Sequence, residues 1–252
     1  MKALFFIFFT SCLSGQWSSG TTINMEKGRK EIGLLSPFRL ALKNNLELEI
    51  NKFFLMPSVS IMEERPMFRN WEMARTFRVE YPTLGMKWLQ SPLGMEVGEP
   101  NMFALISPQF NIPQMVSMHV KWIGTKLLGN KKSITMKAGL GISLGGKNLS
   151  NDATIDLPII YPRLSVYYND YVFNFGGEYF QSIKNNLAYL IDYNMIFMPV
   201  EMGRYAFENK GVITWTKSKR FRIHFGYKLI AGEYPYGSQA HLFPLLDFQF
   251  GW

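Results

Sequence analysis

The sequence predicts an all-β chain that closes as a transmembrane, antiparallel, up-and-down β-barrel of about 12 strands, range roughly 10–14. Three observations carry this. From residue 68 onward, apolar and polar residues alternate with period two. The apolar face of that alternation is dense in Phe, Tyr and Trp. After the first residues, no segment offers the run of about 18 apolar residues that a membrane-spanning helix needs.

The alternation is clearest in four internal segments. In "SITMKAGLGISL", Ile134, Met136, Ala138, Leu140, Ile142 and Leu144 share one face. Thr135, Lys137, Gly139, Gly141 and Ser143 take the other. "KRFRIHFGYKL" sets Phe221, Ile223, Phe225, Tyr227 and Leu229 against Arg222, His224, Gly226 and Lys228. "YLIDYNMIF" sets Tyr189, Ile191, Tyr193, Met195 and Phe197 against Asp192 and Asn194. "MVSMHVKW" sets Val116, Met118, Val120 and Trp122 against Ser117, His119 and Lys121. Successive strand side chains point to opposite faces, so such runs are strands.

Turn signals separate the runs: "GNKK" at 129–132, "SND" at 150–152, "ND" at 169–170, "KNN" at 184–186 and "TKSK" at 216–219. Gly and Asn supply the positive φ that tight hairpins need. Longer irregular stretches are expected at 82–101, 145–158, 199–206 and 231–240. "PFRLALKNNLELEINKFFLMPSVSIM" yields two or three short strands. No helical periodicity stands out, and no repeat or linker divides the chain. The organisation read from this is a signal peptide over 1–14, a leading segment over 15–34 and one barrel domain over 35–252.

Composition agrees with a membrane setting. The chain is 47% hydrophobic and 18% charged, against roughly 25% charged in soluble domains. Its net charge is +8, but no basic block marks a nucleic-acid site; "KSKR" at 217–220 reads as a turn. A polyanionic surface suits the charge better. "MKALFFIFFTSCLSGQ" has the build of a secretory signal, with Lys2 before an apolar core and cleavage after Ser14. A second reading makes Cys12, the only cysteine, a lipid-modified N-terminus.

In a soluble sandwich the apolar face would turn inward. Here several strands run ten residues or more, about the length of a tilted bilayer-spanning strand. Trp71, Tyr81, Trp122, Tyr168, Tyr171, Trp215, Tyr227 and Trp252 sit where interfacial aromatics belong. Inside lipid every backbone polar group must be paired, so strands span only as a closed barrel. The apolar face is then the outside. Arg75 breaks the rule, since alternation from Trp71 turns it outward; it snorkels, or a bulge shifts the register.

The last stretch, "LLDFQFGW", keeps the pattern: Leu246, Phe248, Phe250 and Trp252 oppose Asp247, Gln249 and Gly251. Together with the leader and the alternating strands, this resembles Gram-negative outer-membrane β-barrel proteins of an uncharacterised, porin-like kind. The resemblance implies a bacterial outer-membrane location. It also implies that Phe248, Phe250 and Trp252 form the strand read by the barrel-assembly machinery. Most members end in Phe rather than Trp. Outer-membrane lipids and lipopolysaccharide are the partners implied, with cationic rims on their phosphates; nucleic acid is not.

The polar face supplies the candidate lumen lining: Arg78, His119, Lys121, Lys137, Arg163, Asn174, Glu178, Asp192, Asn194, Arg222, His224, Lys228, Asp247 and Gln249. Bases and acids nearly balance, so the lumen is expected to be salt-bridged rather than a charged path, because unpaired interior charge is costly. Gly226, on that face, is expected to accept a small side chain. Ser117 and His119 share one strand face and are the nearest approach to a nucleophile–base pair, without a third orienting group. Scattered histidines give no metal site, and "GLGISLGG" fails the spacing of a dinucleotide loop; no cofactor is called for. The favoured function is passive passage of small solutes. The alternative is a closed structural or surface-binding barrel, and a lipid-modifying enzyme comes third.

Overall fold

The structure is a computed structural model. It describes residues 21–22, 25–43, 45–52, 56–90, 106, 110–129, 131–146, 149, 159–184, 186–199, 203–218, 220–235 and 237–252. Twelve antiparallel strands close into one barrel in which each strand pairs with its sequence neighbours and β1 pairs with β12. They are β1 Lys30–Gly33, β2 Phe38–Lys43, β3 Leu46–Asn51, β4 Ser58–Phe68, β5 Trp71–Glu80 and β6 Ser117–Leu127. The second half comprises β7 Lys132–Ser143, β8 Tyr171–Lys184, β9 Leu187–Phe197, β10 Tyr205–Ser218, β11 Phe221–Tyr234 and β12 Gly237–Gly251. The barrel therefore starts at Lys30, inside the segment read as leading into it.

Among the described residues, two helices correct the expectation of none. α1 spans Thr83–Gln90 and α2 spans Tyr161–Asn169. The stretch 231–240 is not irregular: β11 runs to Tyr234 and β12 resumes at Gly237. Most of 145–158 and all of 1–20 lie outside the described residues.

The connections sort by length. The β2–β3, β4–β5, β6–β7, β8–β9 and β10–β11 turns are tight and share one end, here called the turn end. At Arg69 and Asn70 φ is 46° and 66°, both positive, as a type I′ hairpin demands. The β5–β6 and β7–β8 connections, which carry the helices, lie at the other, loop end. Short turns on one side and longer loops on the other are the habit of membrane barrels.

The outer wall is apolar. Val59, Phe77, Met118, Trp122, Met136, Phe175, Ile191, Ile213, Phe225, Leu246 and Phe250 are all exposed. Aromatics gather toward both rims. Tyr179 packs on Tyr189 and Phe221 on Phe250 near the turn end; Tyr171 packs on Phe173 and Phe175 on Phe197 toward the loop end. Tyr168 is not among them, because it lies on α2 and stacks on Tyr161. Two outward tyrosines cover outward glycines: a Cβ at Gly177 would lie 2.6 Å from the Tyr193 hydroxyl, and one at Gly211 2.5 Å from the Tyr227 ring. The outward Asn209 is satisfied by the Tyr227 hydroxyl at 2.9 Å and by the Asp192 carbonyl at 3.0 Å, as a polar group facing lipid must be.

Arg75 does face outward, and no bulge intervenes there. The β4–β5 register runs unbroken from Ser58–Glu80 to Arg65–Met73 and shifts only between Arg65 and Phe68. The guanidinium lies 4.5 Å above the Phe77 ring and 3.2 Å from Glu63, which Arg65 also reaches at 2.7 Å. A cation–π contact and an ion pair hold the charge on the outer wall.

The barrel interior is not uniformly polar. Wall residues Val172, Ile196, Ala206, Ile230, Tyr234 and Leu245 turn inward and join one buried apolar cluster with residues of α2, Tyr234 meeting the Tyr161 ring. α2 itself is buried nearly all round, with Tyr161 and Val166 fully covered. Its buried polar side chains are satisfied locally: Ser165 donates to the Pro162 carbonyl at 2.7 Å and Asn169 to the Ser165 carbonyl at 2.8 Å. Pro162 sits in its first turn, where a missing N–H costs nothing. Asp170, at φ 62°, ends it.

Candidate functional site: the lumen

Alternation directs the inner-face side chains, and register decides which of them meet. Lys137 on β7 reaches Asp192 on β9 at 2.7 Å and Glu178 on β8 at 3.3 Å. Lys228 on β11 and Arg163 on α2 converge on Glu208 of β10, at 2.8 and 2.9 Å. Arg78 lies between Glu49 and Glu80, at 3.6 and 3.4 Å. Arg222 reaches Glu31 at 3.0 Å, and Arg29 and Arg39 share that carboxylate at 2.8 and 3.3 Å. Arg39 also holds Glu47 at 2.6 Å. Opposed charges in a confined, low-dielectric space pair in this way because each alone would be strongly destabilised.

Among the residues expected to line the lumen, Arg163 is displaced in kind. It lies on α2 rather than on a strand, and it also donates to the Ile159 carbonyl. Among the described residues Asp247 makes no ion pair. Its carboxylate accepts from the Leu35 N–H at 2.7 Å, the Ser36 hydroxyl at 2.5 Å and the Gln249 amide at 2.9 Å. Gln249 in turn accepts from Arg222 at 2.5 Å. His224 meets Thr214 at 2.9 Å. His119, Lys121, Asn174 and Asn194 line a small cavity beneath α2.

Sequence reasoning missed Glu208, Lys210, Glu31 and Arg39. Counting back by twos from Ile213 and Trp215 turns Glu208 and Lys210 inward. Asn209 and Gly211 interrupt the apolar face there and hide the period. β1 and β2 are too short to show one.

Ser117 and His119 do meet, at 3.1 Å through Nε2. The third group is Glu80, 3.6 Å from the same Nε2. Nδ1 lies against Gly141, where an added Cβ would be 2.4 Å away. A nucleophile–base–acid relay uses both ring nitrogens, so this geometry is not one. Ser117 is fully buried and also accepts the Tyr167 hydroxyl of α2 at 3.0 Å. Burial raises the phenol's pKa, which keeps it a donor. The group fastens α2 to the wall.

From turn end to loop end the lumen thus has distinct zones. A cavity of about 520 Å³ is lined by Arg29, Glu31, Arg39, Lys210, Arg222, His224 and the apolar Phe180, Leu190 and Val212. Near the turn end Thr22 reaches in, its N–H bonded to Thr125 at 3.0 Å and its hydroxyl to Glu72 at 3.3 Å. The ion-pair layer of Lys137, Asp192, Glu208 and Lys228 follows. Beyond it lie the small cavity, α2 and the apolar fill.

No protein-family model matches the chain, and no curated protein does. Among solved structures, the outer membrane channel DcaP of Acinetobacter baumannii matches at 8% identity and a TM-score of 0.38, over 88% of this chain and 61% of that one. The chain thus spans less than two thirds of that channel's length.

Proposed function

We propose that the protein is a porin-like barrel of the bacterial outer membrane that passes small solutes through a constricted lumen. One observation carries the reading: a closed twelve-strand barrel with an apolar outside holds a cavity of about 520 Å³ whose lining includes Arg29, Glu31, Arg39, Lys210 and Arg222. A barrel of this strand number has an interior that can hold a narrow passage or a small ligand. The constriction is α2, an element attached by side-chain contacts rather than by ladder hydrogen bonds, so the passage is small. In this reading Phe248, Phe250 and Trp252 present the assembly strand, cationic turns contact lipid phosphates, and Ser117 with His119 anchors α2 rather than acting on a substrate.

The second reading, a closed barrel without conductance, draws on the same helix, since α2 and the apolar fill obstruct the loop-end half. Single-channel recording of the refolded chain in planar bilayers separates the two. The channel reading expects a small, weakly selective conductance. A bilayer as silent as one without protein, both for the wild type and for a variant with α2 released, would establish the closed barrel instead.

A further inference from the structure

One lateral row of inward positions crosses four strands at mid-lumen. Thr76 on β5 lies opposite Lys121 on β6, Lys121 opposite Gly139 on β7, and Gly139 opposite Asn174 on β8. Gly139 contributes no side chain, and a Cβ there would stand 3.5 Å from Cα and Cβ of Lys121. The space so left is a cavity of about 50 Å³ beneath α2, which Arg78, Lys121, Asn174 and Asn194 also line.

Lys121 differs from the cations around it. Arg78, Lys137, Arg163 and Lys228 each have a carboxylate within 4.0 Å, whereas Lys121 has neither an ion pair nor a hydrogen bond among the described residues. The side-chain amides of Asn174 and Asn194 are likewise without a hydrogen bond there. Glu49 and Asp192 attract Lys121 only from beyond contact distance, while Arg78 and Lys137 repel it, and a positive charge in a confined interior without a contacting counter-charge is unfavourable. Free amide donors beside it favour a negative partner.

We propose that this cavity binds one small monovalent anion with the size and chemistry of chloride. The Lys121 ammonium is its principal partner, and the Arg78 guanidinium and the Asn174 and Asn194 amides complete the shell. Size sets the class: one water needs roughly 10–15 Å³ of such volume, so the cavity takes an anion of that scale with few waters. Charge sets it too, because Lys121 supplies one positive charge with no carboxylate in contact, and Glu80, also lining the cavity, opposes a dianion.

The test uses the full chain in detergent with bromide as the probe. Crystals grown in sodium bromide should show one anomalous peak beside Lys121 Nζ. The peak should vanish in Lys121→Met and persist in Lys121→Arg. As a second readout, the wild type should melt a few degrees higher in chloride than in gluconate at equal ionic strength, and Lys121→Met should melt alike in both. No peak in the wild type, an unchanged peak in Lys121→Met, or equal wild-type melting in both salts would overturn the site. The outcome is separable from the channel reading: a bromide peak in a silent barrel sinks only the channel, and conductance without a peak sinks only the site.

Discussion

Arg163 Nη2 lies 2.9 Å from one oxygen of Glu208, and Lys228 holds the other at 2.8 Å. A single carboxylate thereby ties α2 to β10 and β11. Replacing Arg163 with Met leaves Glu208 paired with Lys228, so the barrel stays closed while α2 loses an anchor. The change removes the ion pair to Glu208 and the guanidinium's bond to the Ile159 carbonyl together. Under the channel reading, conductance in planar bilayers should rise several-fold, with heat-modifiable gel migration retained. Conductance equal to the wild type would show that α2 does not set the constriction.

The seam between β1 and β12 governs closure. Phe250 lies opposite Ile32 on β1, and its ring packs 5.3 Å from that of Phe221 on β11. Phe250→Asp puts a charge on the lipid side of the strand that must remove the sheet's last edge. The variant should fail to assemble and remain protease-sensitive. Normal heat-modifiable migration would contradict this.

The two faces of β11 should respond unequally. Phe225 is 63% exposed on the outer wall, and Phe225→Arg should cost about 2–4 kcal/mol if it sits near the bilayer midplane. His224→Gln, one residue away and inward, should cost under about 1 kcal/mol, since the amide can still meet Thr214. Urea titrations in lipid vesicles compare them, and equal losses would refute the face assignment. Gly226 is not the tolerant inward position that its face suggests. A Cβ there would fall 1.9 Å from the Gly211 carbonyl and 2.8 Å from Cα of Val212, so even Gly226→Ser would force β10 and β11 apart.

Asp192 and Asp247 face the same lumen but should behave differently. Asp192→Asn removes the nearer of the two carboxylates that pair with Lys137, at 2.7 Å against 3.3 Å for Glu178; the reversal potential in a salt gradient should move toward anion preference. Asp247→Asn changes no ion pair and instead weakens the bonds to Leu35 and Ser36. It should lower stability by about 2 kcal/mol with little change in selectivity. A selectivity shift from Asp247→Asn alone would show that its charge, too, acts on the ion path.

What the sequence discloses follows from how local each feature is. Period two is local, so β7, β9 and β11 and their outward aromatics are legible from a dozen residues each. Pairing is not local: Lys137 meets Asp192 only because the β7–β8 and β8–β9 registers bring them together, and alternation gives a direction without a partner. α2 is hidden for another reason. A helix buried on every side shows no amphipathic period, so "YPRLSVYYN" carries no stripe to read. The inward Ile196, Ile230 and Leu245 are hidden by the same logic. Where both sides of a strand are apolar, the outer face cannot be told from the inner.

The shortness of β1 has a consequence in time. Its ladder to β12 runs only from Lys30–Trp252 to Leu34–Phe248, whereas β11 and β12 pair along their whole length from Phe221–Phe250 to Tyr234–Gly237. Amide protons exchange through local openings whose free energy falls where few bonds must break together. Deuterium should therefore enter this barrel from one flank, labelling β1 and β2 first and β10 and β11 last. A cylinder that looks uniform around its circumference is, to an exchanging proton, a sheet with a fast side and a slow one.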